Sequence, residues 1–136
     1  MHAERIERLR KRMRSEKIAC LFISELADIK WLSGYTGTTA YLVVTQDSAV
    51  FATDGRYETQ CRQGLSSFWE LVIVSSYLSF FTETGEKHPE IRVQPSTPAV
   101  LTAYFKDAGS LVSVDKADIL QQIRVVKDAE ELKALK

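Results

Sequence analysis

The feature that most constrains the fold is an alternation of amphipathic segments with short apolar runs. In Ala3–Glu16, the apolar residues Ile6, Leu9 and Met13 recur at three- and four-residue spacing, which predicts a helix. The segment that follows, Lys17–Ser24 (KIACLFIS), is almost continuously apolar and is typical of a strand buried on both faces. Continued along the chain, this alternation predicts one α/β domain with a mixed β-sheet flanked by helices.

The middle of the chain predicts a hairpin that leads into a helix. Two β-rich runs, Ala40–Thr45 and Ser48–Thr53, are separated by a two-residue gap that is typical of a tight hairpin. Asp54 follows at the position of a helix cap, ahead of a predicted helix over Gly55–Gln63. The hairpin and this helix should therefore meet at a sharp corner.

Further elements follow from capping and turn residues. Ser24 is placed to cap a helix over Leu26–Ser33, which Gly34 should end. Thr97 and Pro98 stand in the order preferred at a helix start. The other predictions are strands at Phe68–Val74, Ile91–Val93 and Leu111–Val114, helices at Tyr77–Glu83 and 97–107, and a polar loop at Thr84–Pro89.

The last residues predict two successive helices. Ala117–Val126 has helical spacing, and Asp128 with Glu131 then forms a D-x-x-E pattern close to a capping box. A new helix from Asp128 would have only about two turns before Lys136, which is marginal in isolation. We therefore expect a domain over residues 1–127 and, over 128–136, the start of a helix that continues into a second domain.

Composition indicates a protein of the reducing cytoplasm without a membrane or nucleic-acid partner. The 136 residues carry 18 basic and 18 acidic side chains and no formal net charge, whereas nucleic-acid binders need excess positive charge. No apolar run approaches the roughly 20 residues of a membrane span. The two cysteines, Cys20 and Cys61, fit a reduced, cytosolic protein.

The chain lacks the motifs of a complete catalytic or metal site. Its two histidines, His2 and His88, belong to no H-E-x-x-H or H-x-H pattern. There is no G-x-S-x-G nucleophile elbow and no Gly-Lys-Ser/Thr phosphate loop. We expect neither a catalytic residue nor a metal ligand in this chain.

The first helix carries a basic cluster with two interpretations. Its members are Arg5, Arg8, Arg10, Lys11, Arg12 and Arg14. They could meet an acidic partner or nucleic acid. The favoured interpretation is a solvated helix face, because Glu4, Glu7 and Glu16 are interspersed and can form pairs along the helix.

The run Asp54-Gly55-Arg56-Tyr57 is the most distinctive in the chain. Asp54 can accept N–H groups at the helix start, and Gly55 permits an unusual backbone angle there. Arg56 can pair with a carboxylate, and Tyr57 can bury its ring with the hydroxyl paired. These four residues form either a structural corner alone or part of a functional surface.

Three segments resemble the creatinase/prolidase/aminopeptidase P family, in the family's order and spacing. Ile29–Gly37 (IKWLSGYTG) is similar to its YLTGFTG-type segment. Tyr41–Tyr57 (YLVVTQDSAVFATDGRY) resembles its hairpin and DGRY corner, and Ile123–Lys136 (IRVVKDAEELKALK) resembles the signature that joins its two domains.

The resemblance implies a ribonuclease H-like N-terminal domain of the creatinase type. Catalysis would belong to a second, pita-bread domain with two divalent metal ions (manganese, cobalt or zinc), whose two Asp, one His and two Glu ligands lie outside this chain. The implied activity of the whole protein is hydrolysis of Xaa-Pro peptides, as a dipeptidase or aminopeptidase. Alternatives are a peptide- or protein-binding module of an inactive homologue and, more rarely, creatinase.

The resemblance also implies an interface loop. In the family, the N-terminal domain supports homodimer formation and a loop after the SGF position can reach the neighbouring active site. That loop corresponds here to Tyr35, Thr36, Gly37, Thr38 and Thr39. We expect Tyr35 and Thr38 near a partner's pocket for a proline-containing peptide; the alternative for Tyr35 is a core position packed on Trp31.

Overall fold

Helices and strands alternate along the chain in the computed structural model, which describes residues 1–134. The helices are α1 (His2–Ser15), α2 (Leu26–Ser33), α3 (Glu58–Gly64), α4 (Tyr77–Lys87), α5 (Ala99–Asp107) and α6 (Ile119–Ala134). The strands are β1 (Cys20–Ile23), β2 (Tyr41–Thr45), β3 (Ala49–Asp54), β4 (Glu70–Val74), β5 (Glu90–Val93) and β6 (Leu111–Val114). A short 3₁₀ turn, Gly55–Tyr57, links β3 to α3.

The strands form one mixed sheet of six, in the order β4-β3-β2-β1-β5-β6. The predicted hairpin joins β2 and β3, which pair antiparallel, and β1 also pairs antiparallel with β2. The outer pairs β1–β5, β3–β4 and β5–β6 are parallel, as expected where a helix connects successive strands. The predicted mixed sheet flanked by helices is confirmed.

Each face of the sheet carries its own apolar core. On β1, Leu21 and Ile23 face a core built with α1, α2, α3 and α6, while Cys20 and Phe22 face a second core built with α4 and α5. All four residues of β1 are buried, because helices cover both faces of this central strand. The apolar run Lys17–Ser24 therefore lies at the centre of the fold.

The segment after β4 was predicted only in part. The strand begins at Glu70 rather than Phe68, and α4 continues to Lys87 where a polar loop was predicted from Thr84. Thr84 and Gly85 are buried, and a Cβ on Gly85 would lie 2.7 Å from the Cβ of Ala108 at the end of α5. Close packing between these helices explains the longer α4.

Two predicted helix caps are wrong. Neither Ser24 nor any other side chain caps α2; Gln94 Oε1 instead accepts the Ser24 and Glu25 N–H groups, each at 3.0 Å. The Thr97 hydroxyl lies 3.3 Å from that of Ser24, and Pro98 occupies the cap position of α5. Both hydroxyls are used between segments because β1 and β5 are parallel neighbours whose ends meet.

The predicted break before Asp128 is also wrong. A single helix, α6, runs from Ile119 to Ala134, and Asp115 Oδ2 accepts the N–H of its first residue, Ile119, at 2.9 Å. Asp128 lies inside this helix and accepts the Trp31 indole N–H at 3.2 Å. Asp128, which suggested a helix start, thus makes a contact with α2. The division into residues 1–127 and 128–136 stays a prediction, because it extends beyond the described residues.

Candidate functional site

The predicted interface loop starts from a buried tyrosine. Tyr35 is 4% exposed, and its hydroxyl donates to the Thr39 carbonyl at 2.8 Å. Its ring packs edge-on against Phe51 and Tyr57, with centroids 5.1 and 5.5 Å away. Tyr35 is therefore a core residue, although its aromatic neighbours are these two rather than the predicted Trp31.

The rest of the loop lies at the surface of the domain. Thr36 and Thr38 are exposed, while Gly37 and Thr39 are half-buried. Gly37 lies against the Tyr35 hydroxyl so closely that a Cβ there would be 2.1 Å from it. The loop is consequently folded tightly over the tyrosine, with Thr36 and Thr38 on its exposed side.

The corner after β3 holds its own ion pair. Asp54 Oδ1 accepts the Arg56 N–H at 3.1 Å and its Nε at 2.8 Å, while Oδ2 accepts from the second guanidinium nitrogen at 2.9 Å. The predicted cap at Asp54 and the predicted carboxylate partner of Arg56 are confirmed. Gly55 differs from expectation, because the glycines with positive φ in residues 1–134 are Gly34 and Gly109.

A tyrosine outside the predicted motif completes the corner. The Tyr77 hydroxyl donates to Asp54 Oδ2 at 2.7 Å. Hydrogen bonds from Arg56 and then Tyr77 hold the pKa of Asp54 well below its usual range, while burial and this carboxylate raise the pKa of Tyr77. Sequence spacing alone does not indicate Tyr77. Its position follows from the strand pairing, because Asp54 and Val74 are partners on parallel strands and α4 therefore begins beside the corner.

The predicted loop and the predicted corner come together in the fold. The hydroxyls of Thr38 and Tyr57 lie 2.7 Å apart, and this contact lowers the pKa of Tyr57. Gln60 Nε2 donates to the Thr36 hydroxyl at 3.0 Å, a contact that the sequence did not predict. The loop is thus fastened to α3 and to the 3₁₀ turn on its exposed side.

The chemistry of this surface favours binding over acid–base catalysis. Asp54 is occupied by Arg56 and Tyr77 and is a weak base, because its pKa is lowered. The outward groups are neutral hydroxyls and an amide, which donate and accept hydrogen bonds to a peptide or a protein surface. Whether the loop contacts substrate or a second subunit stays a prediction.

Metal ligands do not gather within residues 1–134. No group of three or more His, Cys, Asp or Glu side chains lies close enough there to hold a metal ion. Burial raises the pKa of Cys20 to about 12 and also raises that of Cys61, although Arg56 and Arg62 lie near Cys61 in sequence. None of the helices over the same residues is both long and apolar enough to span a membrane.

The basic face of α1 is only in part the solvated helix face that the sequence predicts. Arg10 pairs with Glu7 and Arg12 with Glu16 along the helix, at 2.9 and 3.1 Å, as predicted. Arg5 is instead 8% exposed, and it donates to the Trp31 carbonyl at 2.7 Å. Its ion pair is with α6, because the two helices lie side by side in the fold.

Comparison with known proteins agrees with the architecture and with the family resemblance. Residues 5–126 match the model of the Creatinase/Prolidase N-terminal domain. A probable Xaa-Pro aminopeptidase P of Phaeosphaeria nodorum is 42% identical over 69 residues, covering 51% of this chain and 9% of that protein. The chain spans 9%, 10% and 38% of the length of three curated relatives that it matches.

Solved structures share the fold. The aminopeptidase P structure from Streptococcus thermophilus superposes with a TM-score of 0.79 at 18% identity, covering 90% of this chain and 98% of that one. The X-prolyl aminopeptidase of Caenorhabditis elegans, a cytosolic enzyme with a dinuclear active site, gives 0.72 at 25% identity, covering 90% of this chain and 25% of that one. The family match over residues 5–126 and the shared fold agree, and the chain belongs to the creatinase/prolidase N-terminal domain family.

Proposed function

We propose that this chain is the non-catalytic N-terminal domain of an Xaa-Pro peptidase, either a dipeptidase or an aminopeptidase. In that protein it supports homodimer formation and shapes the substrate site of a separate catalytic domain. Family membership over residues 5–126 and the relatives named Xaa-Pro aminopeptidases support this proposal. The whole protein would act in the cytoplasm on proline-containing peptides, as a cytosolic relative suggests.

One observation supports the proposal most strongly: the exposed loop is fixed in one conformation by hydrogen bonds. Tyr35 anchors it in the core, and Thr38 and Thr36 are fastened by Tyr57 and Gln60. A loop fixed in this way loses little entropy when it meets a ligand, which favours binding. The loop can then present hydroxyl groups to a peptide or to the second subunit.

The hydrolytic chemistry would come from the catalytic domain. Two divalent ions, manganese, cobalt or zinc, would be held there, since residues 1–134 bring no three ligands together. A relative with a dinuclear active site supports this division of labour. Metal-activated water is the usual nucleophile in such sites.

The first experiment assays the purified chain alone. We expect no hydrolysis of an Ala-Pro dipeptide or an Ala-Pro-containing tripeptide, with or without Mn²⁺, Co²⁺ or Zn²⁺. Turnover that co-elutes with the 15.4 kDa chain through repurification would overturn the proposal.

The second experiment tests the loop in the complete protein that carries this domain. Thr38→Val removes one exposed hydroxyl, and we expect it to raise KM or to weaken dimerisation, while Thr102→Val on α5 serves as the matched control. Unchanged KM, kcat and dimerisation in the Thr38 variant would reject the loop's role. A complete protein without the metal ligands, which nevertheless binds peptides, would replace the proposal with a binding module.

A further inference from the structure

The two halves of α6 are attached to the domain in different ways. In the first half, Ile119, Leu120 and Ile123 are buried in the core with α1 and α2. In the second half, residues 127–134, no apolar side chain is buried, and Leu132 is 61% exposed. Hydrophobic burial therefore holds only the first half.

The second half is held by polar contacts to α1 and α2, which we call the clamp. Arg5 pairs with Glu131 and Arg8 with Glu130, each at 3.1 Å, and Lys127 pairs with Glu4. The Trp31 indole N–H donates to Asp128 Oδ1 at 3.2 Å. Three of the four clamp contacts are ion pairs between helices that are more than 100 residues apart in sequence.

Two of the four clamp contacts, Arg8–Glu130 and Lys127–Glu4, are exposed, whereas Arg5–Glu131 and Trp31–Asp128 are partly buried. The side chains of Arg8 and Glu130 are 38% and 51% exposed, and that of Glu131 is 35% exposed. Exposed pairs of this kind contribute little, and they weaken as added salt shortens the Debye length from about 10 Å at 0.1 M to about 3 Å at 1 M. The clamp is strongest at low ionic strength.

One side of the clamp is fixed in advance. The Arg5 guanidinium lies 4.5 Å from the Trp31 ring centroid and donates to the Trp31 carbonyl, so it stays in place whether or not Glu131 is near. Such cation–π stacking orients the guanidinium without a partner from α6. The receiving surface on α1 and α2 is therefore preformed.

A buried contact marks the boundary between the two halves. Arg124 donates to Asp28 Oδ1 at 2.9 Å, and Asp28 Oδ2 accepts from Gln94 at 2.7 Å. The Asp28 side chain is only 4% exposed, so water and salt screen this pair much less than the clamp. Movement of the second half would begin just after Arg124.

We propose that residues 127–134 form a charge-latched lever, which leaves α1 when the clamp is screened or neutralised while residues 119–124 stay docked. The groups that face one another are Glu4, Arg5 and Arg8 on α1, Trp31 on α2, and Lys127, Asp128, Glu130 and Glu131 on α6. This conformational device belongs to the chain itself and does not depend on the proposed peptidase role. Its direct consequence is a salt-dependent orientation of the end of α6.

Electron–electron distance measurements on spin-labelled chains test the lever. One label pair joins Glu86→Cys on α4 to Leu132→Cys on the lever, and the reference pair joins Glu86→Cys to Gln121→Cys on the docked half. Native Cys20 and Cys61 are each 2% exposed and should take up no label. Raising NaCl from about 0.05 M to about 0.5 M should roughly double the width of the Leu132 distance distribution and leave the reference unchanged.

Charge variants separate the lever from general loosening. Arg8→Glu should broaden the Leu132 distribution at low salt, and Glu130→Arg in the same chain should narrow it again by restoring the pair in reverse. Arg62→Glu, which breaks the exposed Arg62–Glu58 pair on α3, is the matched control and should change neither distribution. The proposal would be overturned if the width of the Leu132 distance distribution changed with neither salt nor Arg8→Glu. It would also be overturned if that distribution were already broad at low salt in the unaltered chain, or if the distributions of both label pairs broadened equally.

Discussion

The hydroxyl oxygens of Thr38 and Tyr57 lie 2.7 Å apart, although they come from two motifs separated by a whole hairpin. This contact joins the loop after α2 to the turn after β3. The second link, from Gln60 to Thr36, lies on the same exposed side. The loop and the corner therefore form one surface.

Tyr57→Phe removes the hydroxyl and should loosen the loop without unfolding the domain. Because a typical hydrogen bond contributes about 1 kcal/mol, amide hydrogen exchange at residues 36–39 should quicken roughly fivefold. Tyr104→Phe on α5 makes the same chemical change elsewhere and serves as the control. Equal exchange rates in the loop for both variants would contradict the link.

Gly37→Ala and Gly55→Ala form a matched pair. A Cβ at Gly37 would lie 2.1 Å from the Tyr35 hydroxyl, whereas at Gly55 it would meet no heavy atom of residues 1–134 within 4 Å. Gly37→Ala should lower the free energy of unfolding by about 1–3 kcal/mol, as overpacking does. Gly55→Ala should change it by less than about 0.5 kcal/mol, so similar urea midpoints for the two variants would refute this geometry.

Acid should weaken the corner through Asp54. Arg56 and Tyr77 hold the folded-state pKa of Asp54 below its ordinary value, so its contribution is fully present above about pH 4 and is lost as the pH falls below that. Asp54→Asn cannot lose this contribution, so the gap in urea midpoint between wild type and variant should shrink from pH 7 to pH 3. A gap of the same size at both values would contradict the lowered pKa.

Both cysteines should be inert in the folded chain. Burial raises the pKa of Cys20 to about 12 and also raises that of Cys61, and both side chains are 2% exposed. At pH 8 the thiols are protonated and shielded, so an aromatic disulfide reagent should titrate none in buffer and two in denaturant. Rapid reaction of either thiol in buffer would show that the core around it opens.

The sequence was informative wherever a local pattern determines structure. The continuous apolar run of β1, the hairpin before Asp54 and the glycine stop at Gly34, with φ of 80°, all appear in the fold. These features depend on neighbouring residues alone, through side-chain alternation and backbone angles. The Asp54 cap belongs to the same class, because its acceptor lies two residues from its donor.

Features that depend on distant partners were missed. Arg5 had the pattern of a surface charge, yet it is buried because Trp31 and Glu131, 126 residues away, supply its partners. Asp128 had the local pattern of a helix start, but its partner in the fold is Trp31 on α2, far away in sequence. Tyr77 joined the corner only through the parallel pairing of β3 and β4, which no local pattern encodes.

We propose that this domain serves a larger Xaa-Pro peptidase. The most direct test of this claim is to isolate the endogenous protein with an antibody against this chain, measure its mass, and assay it on Ala-Pro peptides with and without a chelator. We predict a mass well above the 15.4 kDa of this chain and metal-dependent hydrolysis that the chelator abolishes. A 15.4 kDa species with no Xaa-Pro activity in the presence of Mn²⁺, Co²⁺ or Zn²⁺ would contradict the claim.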